Sequence, residues 1–175
     1  MTGADLLNTT ISQVSRSIRE RQLSPVELTQ ACIEQSERVD PILKAFTTMT
    51  PEYAIQRAQQ AEKEISSGKY RGPLHGIPYT LKDVIATQGI RTTFGNPRMI
   101  DFKPQESATV HVLLEEAGAV LLGKVYSHIG RGDNPVMCYS PWDPDTSPGT
   151  TSGSVPARRW LQAWACCPSE PIRVA

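Results

Sequence analysis

The spacing of apolar residues divides the first third of the chain into helices. Within residues 6–18, apolar side chains stand three or four positions apart: Leu7, Ile11, Val14 and Ile18. This period predicts an amphipathic helix over that range. Farther on, Ser24, Pro25 and Glu27 stand in an order that caps and starts a helix. We therefore predict a second helix from Pro25 to about Val39.

A third helix and a short strand are predicted next. Thr50-Pro51 repeats the combination of a capping residue and proline, and Gly68 can end the helix that follows. Several small or apolar residues fall on one face of this helix: Tyr53, Ala54, Ala58, Ala61 and Ile65. Between the second and third helices, the apolar stretch Ile42–Thr48 could pair as a strand.

The pattern changes after Lys69 to strands separated by a helix. Glycines and prolines mark a loop, and Ile77–Leu81 then reads as a buried strand that ends at Lys82. Ser107 can cap a helix that passes through Val110, Leu113 and Leu114 and ends at Gly118, and Ala119–Leu122 is a second apolar strand. Strand, helix and strand in this order predict an α/β fold with N-terminal helices followed by βαβ-type layers.

Charge, cysteine spacing and the N-terminus narrow the range of partners. The 18 basic residues equal the 18 acidic ones, so no net field favours a nucleic-acid or membrane partner. The four cysteines and three histidines show no metal-ligand spacing, which predicts reduced thiols and no metal. Residues 1–10 lack the basic and apolar parts of a secretory signal, and no apolar run is long enough to cross a bilayer. A cytoplasmic protein is therefore predicted.

Lys82 is the first candidate for chemistry, because it follows an apolar strand within the Gly- and Pro-bounded segment Gly72–Asp83. Partial burial of its ammonium would disfavour the charged form, and a lysine becomes a general base near neutral pH in this way. The alternative is a structural lysine at a strand end, paired with the neighbouring Asp83.

The second candidate is the segment Ser147–Ser154, where small hydroxyl residues alternate with glycines inside a long loop over 130–154. Glycines such as Gly149 and Gly153 let the backbone approach a ligand closely, which makes them candidates for substrate binding. A phosphate cradle would need Gly-Lys-Ser/Thr at its end, and this segment has Gly153-Ser154-Val155 instead. A flexible surface loop is the remaining alternative for the segment taken alone.

Together with two intervening motifs, these segments resemble the amidase-signature family in identity, order and spacing. The family shows G-P-L-x-G-I-P-x-x-x-K-D, then A-G-A-x-x-x-G-K, then N-P-W-D-P and P-G-G-S-S-G-G. In this chain the corresponding residues are Gly72–Asp83, Ala117–Lys124, Ser140–Pro144 and Pro148–Ser154. The resemblance covers roughly Leu23–Ser154 and implies the family's mixed sheet, cut short before it is complete.

The resemblance also implies a Ser-Ser-Lys triad that needs no cofactor. Lys82 matches the base, the bridging serine falls on Thr151, and Ser152 matches the hydroxyl beside it. Thr151 departs from the family, since its methyl group restricts the rotamer although its hydroxyl can still relay a proton. Thr150 and Ser154 also replace family glycines.

Residues 155–175 do not continue this pattern and read as an aberrant tail. The family continues with an Ala/Gly-rich helix and G-T-D-T-G-G-S, which supplies the nucleophilic serine and the oxyanion hole. In the neighbouring reading frame, Trp164-Ala165 specifies glycine, Cys166-Cys167 specifies leucine, and the last junctions allow G-T-D-T-G-G. We therefore interpret residues 1–154 as the N-terminal part of an amidase-signature domain and 155–175 as the product of a frameshift near Ser154.

Two classes of function follow from this interpretation. One is an amide hydrolase that acts on a small-molecule amide through an acyl-enzyme; its sibling is an amidotransferase component that serves misacylated tRNA. The other is a non-catalytic remnant or binding fragment, because the written chain lacks the segment that carries the nucleophile. Nucleic acid is an expected partner only in the amidotransferase case.

Overall fold

The computed structural model describes residues 9–126, which form four helices, three strands and one 3-10 turn. In chain order these are α1 Ile11–Arg19, α2 Pro25–Leu43, β1 Phe46–Met49, α3 Pro51–Ser66, β2 Pro78–Lys82, the 3-10 turn Pro97–Met99, α4 Thr109–Glu116 and β3 Val120–Val125. None of the helices within this range is long and apolar enough to cross a membrane.

Helix α1 begins later than its apolar spacing predicts. The Thr10 side chain accepts a hydrogen bond from the Gln13 amide at 3.2 Å, and the Gln13 side chain accepts one from the Thr10 amide at 3.0 Å. This reciprocal pair satisfies two donors that a helix leaves free, so Ile11 is the first helical residue. Thr9 and Thr10 lie inside the predicted helix but are not helical.

Helix α2 starts as predicted and ends later than predicted. The Ser24 hydroxyl accepts hydrogen bonds from the amides of Val26 and Glu27, at 3.0 and 3.3 Å. The helix continues beyond Val39 and through Pro41 to Leu43, and Lys44 then adopts a left-handed conformation with φ of 50°. The first part of the predicted strand 42–48 therefore belongs to the helix, and β1 starts only at Phe46.

Helix α3 has the predicted ends and buried face, but Thr50 does not cap it. Ala54, Ala58, Ala61 and Ile65 are buried, and Gly68 has the positive φ of 85° that ends many helices. The Thr50 hydroxyl instead donates to the carbonyl of Leu121 in β3, at 3.2 Å. Pairing with the sheet has therefore replaced the local capping bond.

The sheet has the order β1-β3-β2 and is mixed, since β2 runs parallel and β1 antiparallel to the central strand β3. The segment from β2 through α4 to β3 is the predicted βαβ unit, so the α/β fold class is confirmed. All six residues of β3 are buried, as suits a central strand.

Helix α4 differs from its prediction in its cap, and two of the apolar residues that predicted it are exposed. Ala108 is the N-cap residue, and the Ser107 hydroxyl accepts a hydrogen bond from the Gln88 amide at 2.9 Å. Val110 and Leu113 are 46% and 58% exposed, whereas His111 is buried. The polar side chain faces inward because it has hydrogen-bonding partners there.

Helices α1 to α3 share one apolar core with β3 and with Ile77, the residue before β2. Its buried members are Val14, Ile18, Leu23, Leu28, Cys32, Ile33, Ala54, Ala58, Ile65, Ile77, Val120 and Leu122. A smaller cluster of Leu43, Ala45 and Val125 covers the far end of β3. The carboxyl ends of the two parallel strands are thereby fixed side by side.

Candidate active site

Lys82 is the last residue of β2 and lies beside Val125, the last residue of β3. The residue is partly exposed. Its carbonyl accepts a hydrogen bond from the Ile85 amide at 3.0 Å, so the chain turns immediately after it. Ligand sites of α/β sheets form outside the carboxyl ends of parallel strands, and Lys82 stands at such an end.

The next residue, Asp83, is fully buried and held on several sides. Its amide donates to the Val125 carbonyl at 2.9 Å, and its own carbonyl accepts from the Phe94 amide at 3.2 Å. One carboxylate oxygen accepts hydrogen bonds from the amide of Thr93, at 3.1 Å, and from the Thr93 hydroxyl. The other oxygen has no hydrogen-bond partner among the described residues and lies 4.0 Å from the ammonium of Lys124.

Lys124 is fully buried although it lies within the central strand β3. Its ammonium donates to the carbonyl of Ile85 at 2.5 Å and to the hydroxyl of Thr92 at 2.8 Å. Burial lowers the pKa of Lys124 to about 8, and the Asp83 carboxylate opposes that shift. A charged lysine therefore lies directly behind the turn that follows Lys82.

The burial of Lys124 was not predicted from the sequence. There the residue was recognised only as the last position of a family motif. The signal in the sequence was a lysine two residues after the apolar run Ala119–Leu122. The strand extends through Val125, which places that lysine inside the sheet.

A second buried polar group joins β2, α3 and α4. The Tyr79 hydroxyl and His111 Nδ1 share a hydrogen bond of 2.8 Å, and His111 Nε2 lies 3.6 Å from a Glu115 carboxylate oxygen. The Tyr53 hydroxyl donates to the other oxygen of Glu115. Burial lowers the pKa of His111 and raises that of Tyr79, and burial with the Glu115 contact raises the pKa of Tyr53 to about 12. Neutral His111 and the two phenols therefore hold α4 against the sheet, through Tyr79, and against α3, through Tyr53.

His75 has a similar structural place at the end of α3. Its Nδ1 accepts a hydrogen bond from the Arg71 amide at 3.1 Å, and its Nε2 lies 3.3 Å from Glu64. Burial lowers the pKa of His75, although the Glu64 carboxylate opposes this shift. Gly118 packs against the ring so closely that an added Cβ would lie 2.3 Å from its Cδ2.

Four of the predicted site residues lie outside the described residues, namely Gly149, Thr151, Ser152 and Gly153. The predicted loop over 130–154 and the tail over 155–175 lie outside them as well. Whether the hydroxyls and amides of this segment approach Lys82 stays a prediction. Among residues 9–126, no group of three or more His, Cys, Asp or Glu side chains is arranged to hold a metal ion.

The chain is similar to known proteins over most of its length. A profile of the family described as Amidase matches residues 27–155. The chain is 40% identical over 155 residues to the A subunit of the glutamyl-tRNA(Gln) amidotransferase of Dehalococcoides mccartyi (strain CBDB1), covering 85% of this chain and 32% of that protein. It is 37% identical over 150 residues to the protein of the same name from Methylococcus capsulatus, covering 82% of this chain and 31% of that one.

A solved structure gives the same result for the fold. The native peptide amidase from Stenotrophomonas maltophilia superposes with a TM-score of 0.77 at 30% sequence identity, over 85% of this chain and 33% of that chain. The chain thus spans about a third of the length of the relatives that it matches. The matched region includes Lys82, the βαβ unit and the segment 147–154, and the chain belongs to the amidase family.

Proposed function

We propose that the chain is the N-terminal part of an amide-bond hydrolase in which Lys82 is the base. The observation that carries this proposal is the place of Lys82, partly exposed at the carboxyl end of a parallel strand whose next residue is buried and fixed. A lysine held in this way can present its amine to a substrate cleft while its backbone stays rigid. The membership of the amidase family supports the same role.

In the proposed reaction, the Lys82 amine receives a proton through the hydroxyl of Thr151 from a nucleophilic serine of the complete enzyme. The serine oxygen forms a bond to the amide carbonyl, the carbon–nitrogen bond breaks, and the amine leaves with a proton returned from Lys82. Water then hydrolyses the acyl-enzyme to the free acid. Backbone amides would stabilise the oxyanion, at about 3 kcal/mol for each donor removed. Metal ions and organic cofactors have no step in this scheme.

The proposed substrate is a small-molecule amide, and a component of an amidotransferase is the second candidate. The 40% identity to the A subunit of a glutamyl-tRNA(Gln) amidotransferase favours that second candidate. In that case the same lysine would help to release ammonia from glutamine for transfer to a misacylated tRNA. Only this second candidate calls for a nucleic-acid partner.

For residues 155–175 we propose a change of reading frame near Ser154. The family profile ends its match at residue 155, which supports this position. Sequencing the coding DNA tests the proposal directly, since the neighbouring frame is expected to encode the Ala/Gly-rich helix and G-T-D-T-G-G. Any other sequence in that frame rules the frameshift out.

We also propose that the 175 residues do not turn over amides, because they lack the Ala/Gly-rich helix and the G-T-D-T-G-G segment.

A frame-corrected protein tests the role of Lys82. We expect it to hydrolyse simple aliphatic or aromatic amides, and Lys82→Ala to abolish this turnover. Lys69→Ala is the matched control, because Lys69 is an exposed lysine that is expected to tolerate the change. Equal turnover in the Lys82 variant would remove the lysine from the mechanism, and ammonia release from glutamine alone would favour the amidotransferase candidate.

A further inference from the structure

Lys124 and Asp83 form an ion pair whose two side chains are fully buried. Moving an ammonium and a carboxylate out of water is unfavourable, and apolar side chains of similar volume are often equally stable or better. Lys124 is nevertheless fully buried inside the central strand, and one Asp83 oxygen depends on it for compensation at 4.0 Å. A role beyond packing would explain this arrangement.

The contacts of Lys124 converge on the segment that follows Lys82. Its ammonium binds the Ile85 carbonyl at 2.5 Å and the Thr92 hydroxyl at 2.8 Å, which ties both ends of the segment 85–92 to β3. The Ile85 amide in turn donates to the Lys82 carbonyl at 3.0 Å. Lys124 therefore reaches the backbone of Lys82 through a single intervening residue.

Asp83 completes the same arrangement from the other side. Its amide and carbonyl bind Val125 and Phe94, and its carboxylate binds the amide and hydroxyl of Thr93. The carbonyl of Lys82 and the amide of Asp83 are thus both hydrogen-bonded, so the peptide unit after Lys82 has little freedom to rotate. This peptide unit sets the direction in which the Lys82 side chain leaves the strand.

We propose that Lys124, acting with Asp83, is a positioning residue that clamps the turn after Lys82 and so directs the Lys82 amine towards the substrate cleft. This inference rests on the proposed role of Lys82 as the base. Lys124 itself is buried behind the turn and does not touch the substrate.

The test uses the 175-residue chain and does not depend on turnover. In Lys124→Met we expect the amides of Asp83, Ile85 and Phe94 to exchange hydrogen about tenfold faster, while amides in α3 keep their rates. We also expect the pH profile for acylation of the Lys82 amine, read by mass spectrometry, to shift. The exposed Lys69 in the same molecule serves as the internal reference.

Two milder variants decide the question if Lys124→Met does not fold. Thr92→Val removes the hydroxyl that accepts from Lys124 and keeps the shape, whereas Thr92→Ser keeps the hydroxyl. We expect Thr92→Val to change exchange and Lys82 acylation in the same direction as Lys124→Met, and Thr92→Ser to behave like the parent chain.

Two results would contradict the proposal that Lys124 clamps the turn after Lys82. One is a folded Lys124→Met, or failing that a Thr92→Val, in which the Lys82 profile and the three amides are unchanged. The other is faster exchange throughout the sheet and helices alike, which would indicate a purely structural role. If instead Lys82 is not the base, the frame-corrected Lys82→Ala enzyme would keep its full turnover, which is a different observation.

Discussion

At the scale of single residues, Lys124 makes the stability of the chain increase with pH in the alkaline range. Its folded pKa is about 8 and that of an unfolded lysine is 10.5, so the unfolded state binds more protons between these values. Stability is then expected to rise with pH from about 8 towards 10, by on the order of 2 kcal/mol. Thermal unfolding at a series of pH values measures this rise.

The matched variants for this prediction are Lys124→Met, in which the rise disappears, and Lys69→Met, in which it remains. Measurements should stop near pH 10, because the raised pKa values of Tyr53 and Tyr79 act in the opposite direction above that pH. A parent chain whose unfolding temperature does not change over this range would contradict the assignment of a buried ammonium.

Glu64 makes the free energy of unfolding depend on pH in the acid range. Two hydrogen bonds from the Arg71 guanidinium, at 2.6 and 2.7 Å, lower the pKa of Glu64 from 4.5 to about 2. Its folded pKa is depressed, so its contribution is present above pH 4.5 and is lost as the pH falls towards 2. Glu64→Gln is therefore expected to cost about 1 kcal/mol at neutral pH, because the Arg71 partner is partly exposed.

Urea denaturation at pH 7 and pH 2.5 checks this prediction. The deficit of Glu64→Gln relative to the parent chain should shrink at the lower pH, whereas Glu37→Gln, at an exposed position of α2, should show no deficit at either pH. A deficit that stayed constant with pH would mean that the variant acts through packing instead.

At the scale of elements, two glycines that end helices allow the cost of backbone strain to be distinguished from the cost of a steric clash. Gly68 after α3 and Gly118 after α4 have φ of 85° and 79°, so alanine is strained at both. An added Cβ meets nothing within 4 Å at Gly68, but lies 2.3 Å from the His75 ring at Gly118. We expect Gly68→Ala to cost about 1 kcal/mol and Gly118→Ala about 3 kcal/mol or more.

Chemical denaturation of the two alanine variants gives both free energies of unfolding under the same conditions. Equal losses would show that backbone strain alone governs both positions. A larger loss for Gly118→Ala would show that the ring of His75 fixes the junction between α4 and β3.

At the scale of the whole molecule, several large apolar side chains between residues 100 and 113 are exposed. Large apolar side chains in this segment that are more than a third exposed are Ile100, Phe102, Val110, Val112 and Leu113. Such surfaces mark interaction sites or a tendency to aggregate. We expect the 175-residue chain to bind a hydrophobic dye and to self-associate at high concentration.

Leu113→Lys and Ile42→Lys form a matched pair for this prediction, because both parent residues are 58% exposed and they lie on different helices. Dye fluorescence and light scattering should fall in Leu113→Lys and change little in Ile42→Lys. A parent chain that is monomeric and binds no dye would contradict the prediction.

Local signals in the sequence determined where α2 begins and where α3 and α4 end. Ser24 and Pro25 start α2, and Gly68 and Gly118 end α3 and α4, because capping bonds and positive φ angles involve only residues a few positions apart. The same is true of Lys82, whose place at the end of a strand follows from the residues on either side.

Only the tertiary structure decided which face of α4 is buried and where shared polar groups bind. The hydroxyls of Thr50 and Ser107 suit helix caps locally, but they bind Leu121 and Gln88, which the fold brings close from distant parts of the chain. Likewise, Lys124 and His111 are buried although the sequence offers apolar neighbours for those places, because their partners lie on other elements. Spacing along a chain reports a residue's own neighbours, whereas the free energy of burying a polar group depends on what meets it across the fold.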